Sequence, residues 1–172
     1  PILLGRAPAL GGGPLRDRCI GVRPVFWVQA PDYFLISLVT AVATFFLARH
    51  FRIPGRALSV ADAFGLALFG IIGTEKALLF DAPDSVAILL GIFTGVAGGM
   101  LRDVLRGEMP VVFRPDVELY ATAVFGGALV FILLRHWLPP SPAHRYLGMA
   151  VILILRLSAM RWRIRLPVFQ GK

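Results

Sequence analysis

The 172-residue chain is 57% hydrophobic and 16% charged, with 18 Lys+Arg against 10 Asp+Glu and one cysteine, Cys19. That length suits a single domain, but so little charge would leave a water-soluble fold with large apolar patches, so the composition argues for a membrane protein. The basic excess sits at the ends of apolar runs rather than in one patch, which argues against nucleic acid as a partner, and a lone cysteine excludes an intramolecular disulfide.

In chain order, the sequence opens at Pro1 on PILLGRAPALGGG, without the basic start, apolar stretch and small-residue cleavage site of a signal peptide, and reads as a truncated start. GGPLRD follows at 12–17. The first apolar span is Tyr33–Ala48, followed by Arg49, Arg52 and Arg56. The second, Val60–Phe80, is of bilayer length, about 20 residues, and ends at the acidic turn DAPDS. Asp62 near its start is expected to cap the helix. The third span, Ser85–Leu101, runs into GGMLRD at 98–103, with Arg102, Arg106 and Arg114 beyond it. Leu119–Leu134 and the shorter Tyr146–Met160, which contains Arg156, complete the set before a basic tail. Aromatic residues such as Tyr33, Tyr120, Trp137, Tyr146 and Trp162 mark span edges, as an interfacial belt does. His50, His136 and His144 fall at span ends or in loops and read as solvated side chains.

GGPLRD and GGMLRD are two copies of one unit. The offset of 86 that carries Gly12 onto Gly98 also carries Gly21 onto Gly107, Pro24 onto Pro110, Val25 onto Val111 and Arg49-His50 onto Arg135-His136. Ile2-Leu3-Leu4-Gly5 falls on Ile88-Leu89-Leu90-Gly91 without a gap, so the chain contains an internal duplication. Three membrane crossings separate the copies, and an odd number turns the second copy upside down, the inverted-repeat arrangement of many transporters. The expected fold is all-α and polytopic: an inverted repeat of three transmembrane helices plus one extra carboxy-terminal helix. Residues 1–58 form an incomplete first repeat, 59–138 the second, and 139–172 the last helix and tail. The counterpart of span 60–80 would lie before Pro1, so the first helix is missing from this chain and the complete molecule is expected to have seven.

Alternating the loops puts Arg49, Arg52, Arg56, Arg102, Arg106, Arg114, Arg161, Arg163, Arg165 and Lys172 on one face. Arg16, Arg18, Arg23, Arg135 and Arg145 fall on the other. The positive-inside rule therefore predicts a cytoplasmic carboxy terminus. The basic tail reads as charge attracted to anionic membrane lipid.

The glycines at 91, 95 and 99 share one helix face, where small residues let backbones approach. Gly98-Gly99 and Gly11-Gly12-Gly13 weaken a helix by about 1 kcal/mol per glycine and are candidate bends. Freed carbonyls at a bend could line a cation path, or the glycines could serve tight packing alone. Arg16-Asp17 and Arg102-Asp103 are candidate pore-mouth charges or interfacial caps. Adjacent residues do not face each other on a helix, so each Arg is expected to pair elsewhere. Glu75 and Lys76 lie inside a span, where ionisable groups are costly and commonly functional, although Lys76 could also snorkel to headgroups. There is no HExxH, GxSxG, phosphate loop or Cys/His cluster, so no enzyme activity, cofactor or metal is expected.

The run GGxLRDxxxGxxP, occurring twice, resembles prokaryotic TRIC-type proteins, the trimeric intracellular cation channel family, whose repeat is also labelled glycine-transporter-like. GTEKAL at 73–78 and LRLSAMRWRIRLPVF at 155–169 are similar to that family's fourth- and seventh-helix signatures. The resemblance implies a homotrimer in the bacterial inner membrane with one K⁺- and Na⁺-permeable path per protomer. It also implies pore bends at Gly11-Gly12-Gly13 and Gly98-Gly99, and a gating role for a basic residue matched by Lys76. Arg6, Pro8 and Pro14 depart from the second copy, which has Ile92, Thr94 and Met100 there. The alternative reading is a secondary transporter of a small neutral solute such as glycine, using the same inverted bends.

Overall fold

A computed structural model describes residues 12–14, 16–21, 35, 36, 39, 40, 42, 43, 46, 55–105, 107–113, 119–162 and 164. Gly11, most of the span Tyr33–Ala48, and the tail beyond Trp162 apart from Ile164 lie outside these residues. Four helices are fully traced: α1 (Gly55–Leu79), α2 (Asp84–Leu105), α3 (Ala121–Trp137) and α4 (Ala143–Trp162), with a 3₁₀ turn at Val111–Phe113. Residues 12–14 and 16–19 are also helical and form the motif segment of the first copy. There is no strand among the described residues.

α2 and α4 extend beyond both ends of their apolar runs, α1 beyond the start of its own and α3 beyond the end. α1 begins at Gly55, ahead of the expected Val60, because nothing between Arg56 and Ser59 breaks a helix. It closes with a Schellman turn: Ala82 N donates to Ala77 O at 3.1 Å and Asp81 N to Leu78 O at 3.2 Å, with Asp81 at φ 55°. α2 closes in the same way, with Glu108 N donating to Asp103 O at 2.9 Å and Gly107 N to Val104 O at 3.0 Å. α3 stops at the extended Leu138, and the following Pro139-Pro140 lack the N–H groups to continue it.

α1 is the central member, packing against α2, α3 and α4, while α2 and α3 meet and α3 pairs with α4. The core gathers Leu66 and Ile71 of α1, Val96 of α2, Val124 and Phe131 of α3 and Ile152 of α4. The outward faces are equally apolar: Phe64, Leu68, Phe93, Phe125, Leu133 and Ile154 are all exposed. A helix apolar on every side belongs in lipid. α1 from Ala57, α2 and α4 are long and apolar enough to cross a membrane, and α3 is a shorter apolar helix. The protein is an integral membrane protein.

In lipid, packing rather than water exclusion holds helices together, and close approach needs small residues. The α1–α2 contact is built this way. A side chain on Gly91 would collide with Thr74 Oγ1, and a Cβ on Gly73 would stand 2.7 Å from Thr94 Oγ1, so each threonine fits where the facing helix has glycine. Both hydroxyls are satisfied within their own helices, Thr74 donating to Gly70 O at 3.0 Å and Thr94 to Leu90 O at 2.6 Å. Gly127 of α3 and Gly148 of α4 approach closely in the same manner.

Candidate functional site

The two copies of the motif adopt the same local structure. Gly21 and Gly107, equivalent by the repeat, both sit in the left-handed region, at φ 73° and 69°. Gly21 N donates to Arg18 O at 3.3 Å, as Gly107 N does to Val104 O at 3.0 Å. Arg16 Nε donates to Asp17 Oδ1 at 3.0 Å, and Arg102 Nε to Asp103 Oδ1 at 2.9 Å. The expectation that each Arg pairs away from its neighbouring Asp is corrected for Arg16, whereas Arg102 bonds both its neighbour and a residue elsewhere, Asp62. The arginine stem is long enough to fold its guanidinium back across the step of about 100° between adjacent side chains.

What differs is the partner each motif finds on α1. Asp17, fully buried, also accepts from Lys76 Nζ at 2.9 Å. Arg102 reaches Asp62 at 3.1 Å instead. Asp62 and Lys76 are 14 positions apart, roughly 21 Å along α1 at 1.5 Å per residue, so the two Arg-Asp elements are fastened to opposite ends of one membrane-crossing helix. Lys76 is engaged by a carboxylate within the protein, which argues against headgroup snorkelling. Glu75 turns to another helix and accepts from Arg145 Nη2 of α4.

Asp62 does not cap a helix start, since α1 begins seven residues earlier at Gly55. It is a shared acceptor, taking the Arg102 bond and a 3.0 Å bond from Tyr120 Oη just ahead of α3. Arg156, buried in the middle of α4, lays its guanidinium 4.9 Å from the Tyr120 ring centroid and donates to Leu119 O at 3.3 Å. Asp103 Oδ2 takes Val111 N at 2.9 Å, tying in the 3₁₀ turn. α1, α2, α4 and the residue that leads into α3 thus meet around one polar cluster beside a cavity of about 150 Å³. The sequence reading missed Tyr120 and Arg156 as members. The available signal was Arg156 itself, because an arginine inside an apolar helix needs an internal partner.

The glycines contribute by close approach. α2 is α-helical without interruption from Asp84 to Leu105, so the expected release of carbonyls at Gly98-Gly99 does not take the form of a helix break. Gly98 and Gly99 are buried, and a Cβ on Gly99 would stand 2.6 Å from Tyr120 Oη, in the space used by the Tyr120–Asp62 bond. In the first copy Gly12 is buried against α2, where a Cβ would collide with the carbonyl oxygen of Thr94. Thr94 lies midway along α2, so the glycine motif of one copy crosses the motif helix of the other near its centre. Gly13 is helical and half-buried beside it. No group of three or more potential metal-ligating side chains occurs among the described residues.

A family model described as Glycine transporter matches residues 1–49 and 59–136. The UPF0126 inner membrane protein YadS of Escherichia coli (strain K12) is 40% identical over 170 residues, covering 98% of this chain and 81% of that protein. The UPF0126 membrane protein YvgT of Bacillus subtilis (strain 168) is 34% identical over 172 residues, covering 96% and 80%. Among solved structures, the TRIC trimeric intracellular cation channel orthologue from Rhodobacter sphaeroides is 40% identical with a TM-score of 0.86, covering 95% of this chain and 83% of that one. A second TRIC cation channel, solved in work on the structural basis of conductance, is 29% identical with a TM-score of 0.88, covering 99% and 83%. The doubled motif, the inverted packing and these likenesses agree: the chain belongs to the TRIC-type family, the family whose sequence model is described as Glycine transporter.

Proposed function

We propose that the protein is a channel for the monovalent cations K⁺ and Na⁺, working as a homotrimer with one path inside each protomer. The likeness at 40% identity to a trimeric cation channel orthologue supports this reading. The observation that carries it is the crossing of Gly12 against mid-α2 between two charged ends: Arg16, Asp17 and Lys76 at one, Arg102, Asp103 and Asp62 at the other. The two copies meet at a glycine, and Arg16, Lys76 and Arg102 at the ends are each held by a carboxylate. A permeating ion would therefore meet neutralised pairs rather than bare positive charge.

In this reading Gly12, Gly13, Gly98 and Gly99 keep the path narrow and free of side chains, while Lys76, held by Asp17, is the gating charge. A membrane potential acts on such a charge with about 2.3 kcal/mol per elementary charge per 100 mV. The chain divides into residues 1–58, 59–138 and 139–172, with the carboxy terminus and the Asp62 end in the cytoplasm, as the distribution of arginines favours.

Reconstitution into planar bilayers and liposomes tests the proposal. Unitary K⁺ and Na⁺ currents that are ohmic and indifferent to added solutes are expected. Saturable glycine uptake without unitary conductance would replace the channel with a carrier.

A further inference from the structure

At the Lys76 end of the bundle, away from the Asp62 cluster, lies a second and larger cavity of about 420 Å³ between the end of α1 and the α3–α4 turn. Its charged lining is Glu75 from α1, Arg135 from α3, and His144 and Arg145 from the first turn of α4. Glu75 occupies Arg145 Nη2, but Arg145 Nε is buried and has no hydrogen-bond partner among the described residues. His144, 7% exposed, lines the same cavity. Arg145 Nε is thus a buried donor left unused at the cavity, at a cost of about 1–3 kcal/mol.

The surroundings favour an anion. Two guanidinium groups face one carboxylate. The cavity also receives the amino-terminal end of the 20-residue α4, whose first turn carries no acidic side chain to offset the helix dipole. Ser141 takes Ala143 N on its hydroxyl and His144 N on its carbonyl, both at 3.2 Å, so two of the first-turn amides are satisfied locally. Trp137 at the end of α3 and Tyr146 in the first turn of α4 are exposed aromatics, the residue types that settle at headgroup depth.

We propose that this cavity binds a phosphate-bearing anion, the headgroup of an anionic phospholipid, held by Arg135, His144 and Arg145 at the amino-terminal end of α4. A phosphodiester offers acceptor oxygens to a guanidinium and an imidazole together, and its acyl chains would lie along the apolar outer face of α3 and α4.

Native mass spectrometry and thermal unfolding of the detergent-purified protein test this without measuring ion flux, so the result stands apart from the channel reading. Phosphatidylglycerol should stay bound and raise the melting temperature, and phosphatidylcholine should do neither. Arg135→Gln, at an exposed position, should weaken phosphatidylglycerol binding about tenfold, the value of one charge-assisted hydrogen bond. His144→Gln should weaken it several-fold, and Arg161→Gln at the far end of α4 should leave it unchanged. Equal stabilisation by inorganic phosphate, lost in Arg135→Gln, would assign the site to soluble phosphate. No selectivity between the two lipids together with no phosphate effect, or equal loss in Arg161→Gln, overturns the proposal.

Discussion

Asp17 is fully buried and shares its carboxylate between Arg16 at 2.7 Å and Lys76 at 2.9 Å. A buried charge stripped of one partner keeps its desolvation cost and loses the attraction that offset it. Lys76→Met is expected to destabilise the protein by about 1–3 kcal/mol, read as a lower melting temperature in detergent. Adding Asp17→Asn should recover part of that loss, since a neutral amide needs no counter-charge. A double variant no better than the single one would show that Lys76 does not stabilise the fold through Asp17. Gly107 makes a second residue-scale prediction. At φ 69° an alanine there costs about 1 kcal/mol, whereas Gly107→Asn, which tolerates that conformation, should cost less in the same melting assay. The Arg-Asp pairs and glycines of this site were legible because duplication displays them twice. Asp62 and Tyr120 were not, because each has an ordinary local reading (a cap, a belt aromatic), and Arg156, an arginine inside an apolar span, does not reveal its partner; only packing brings the three together.

Among the helices, glycines that look alike in sequence fill different roles. Gly91 faces the Thr74 hydroxyl and the Gly70 carbonyl, while a Cβ on Gly65 would meet nothing within 4 Å. Gly91→Ala should force α1 and α2 apart and lower the melting temperature. Gly65→Ala should be neutral or stabilise by up to about 1 kcal/mol, the helix preference for alanine over glycine. Comparable melting temperatures for the two variants would contradict the interlocked α1–α2 contact. The helices themselves were readable from apolar runs, but their ends were not. α1 extends back to Gly55 through a basic, polar stretch that hydropathy excludes, which is why Asp62 read as a cap. The bend expected at Gly98-Gly99 rested on helix propensity. The segment stays α-helical through both glycines, with Asp62 of α1 and Tyr120 close to Gly99.

The inversion of the repeat was legible for the whole molecule from an odd count of crossings, and two charged ends on one helix are its physical expression. It makes a topological prediction that the protein's own cysteine can read. Cys19 is exposed and lies two residues past Asp17, at the Lys76 end. With the carboxy terminus inside, a membrane-impermeant maleimide added to intact cells should label Cys19. In a Cys19→Ser background, Met109→Cys, beyond the other motif, should label only after permeabilisation. Labelling of both sites from the same side would place the two motifs on one face and dismiss the inverted arrangement.

Because Asp62 and Lys76 belong to a single unbroken helix, the two clasps share a rigid connecting rod. A one-residue slide of α1 along its axis would carry both counter-charges about 1.5 Å in the same direction. One motif's partner would then be drawn inward as the other's moved outward. Mechanical coupling between the two surfaces of the bilayer is thus built into one stretch of polypeptide, with no relay of intermediate side chains between them.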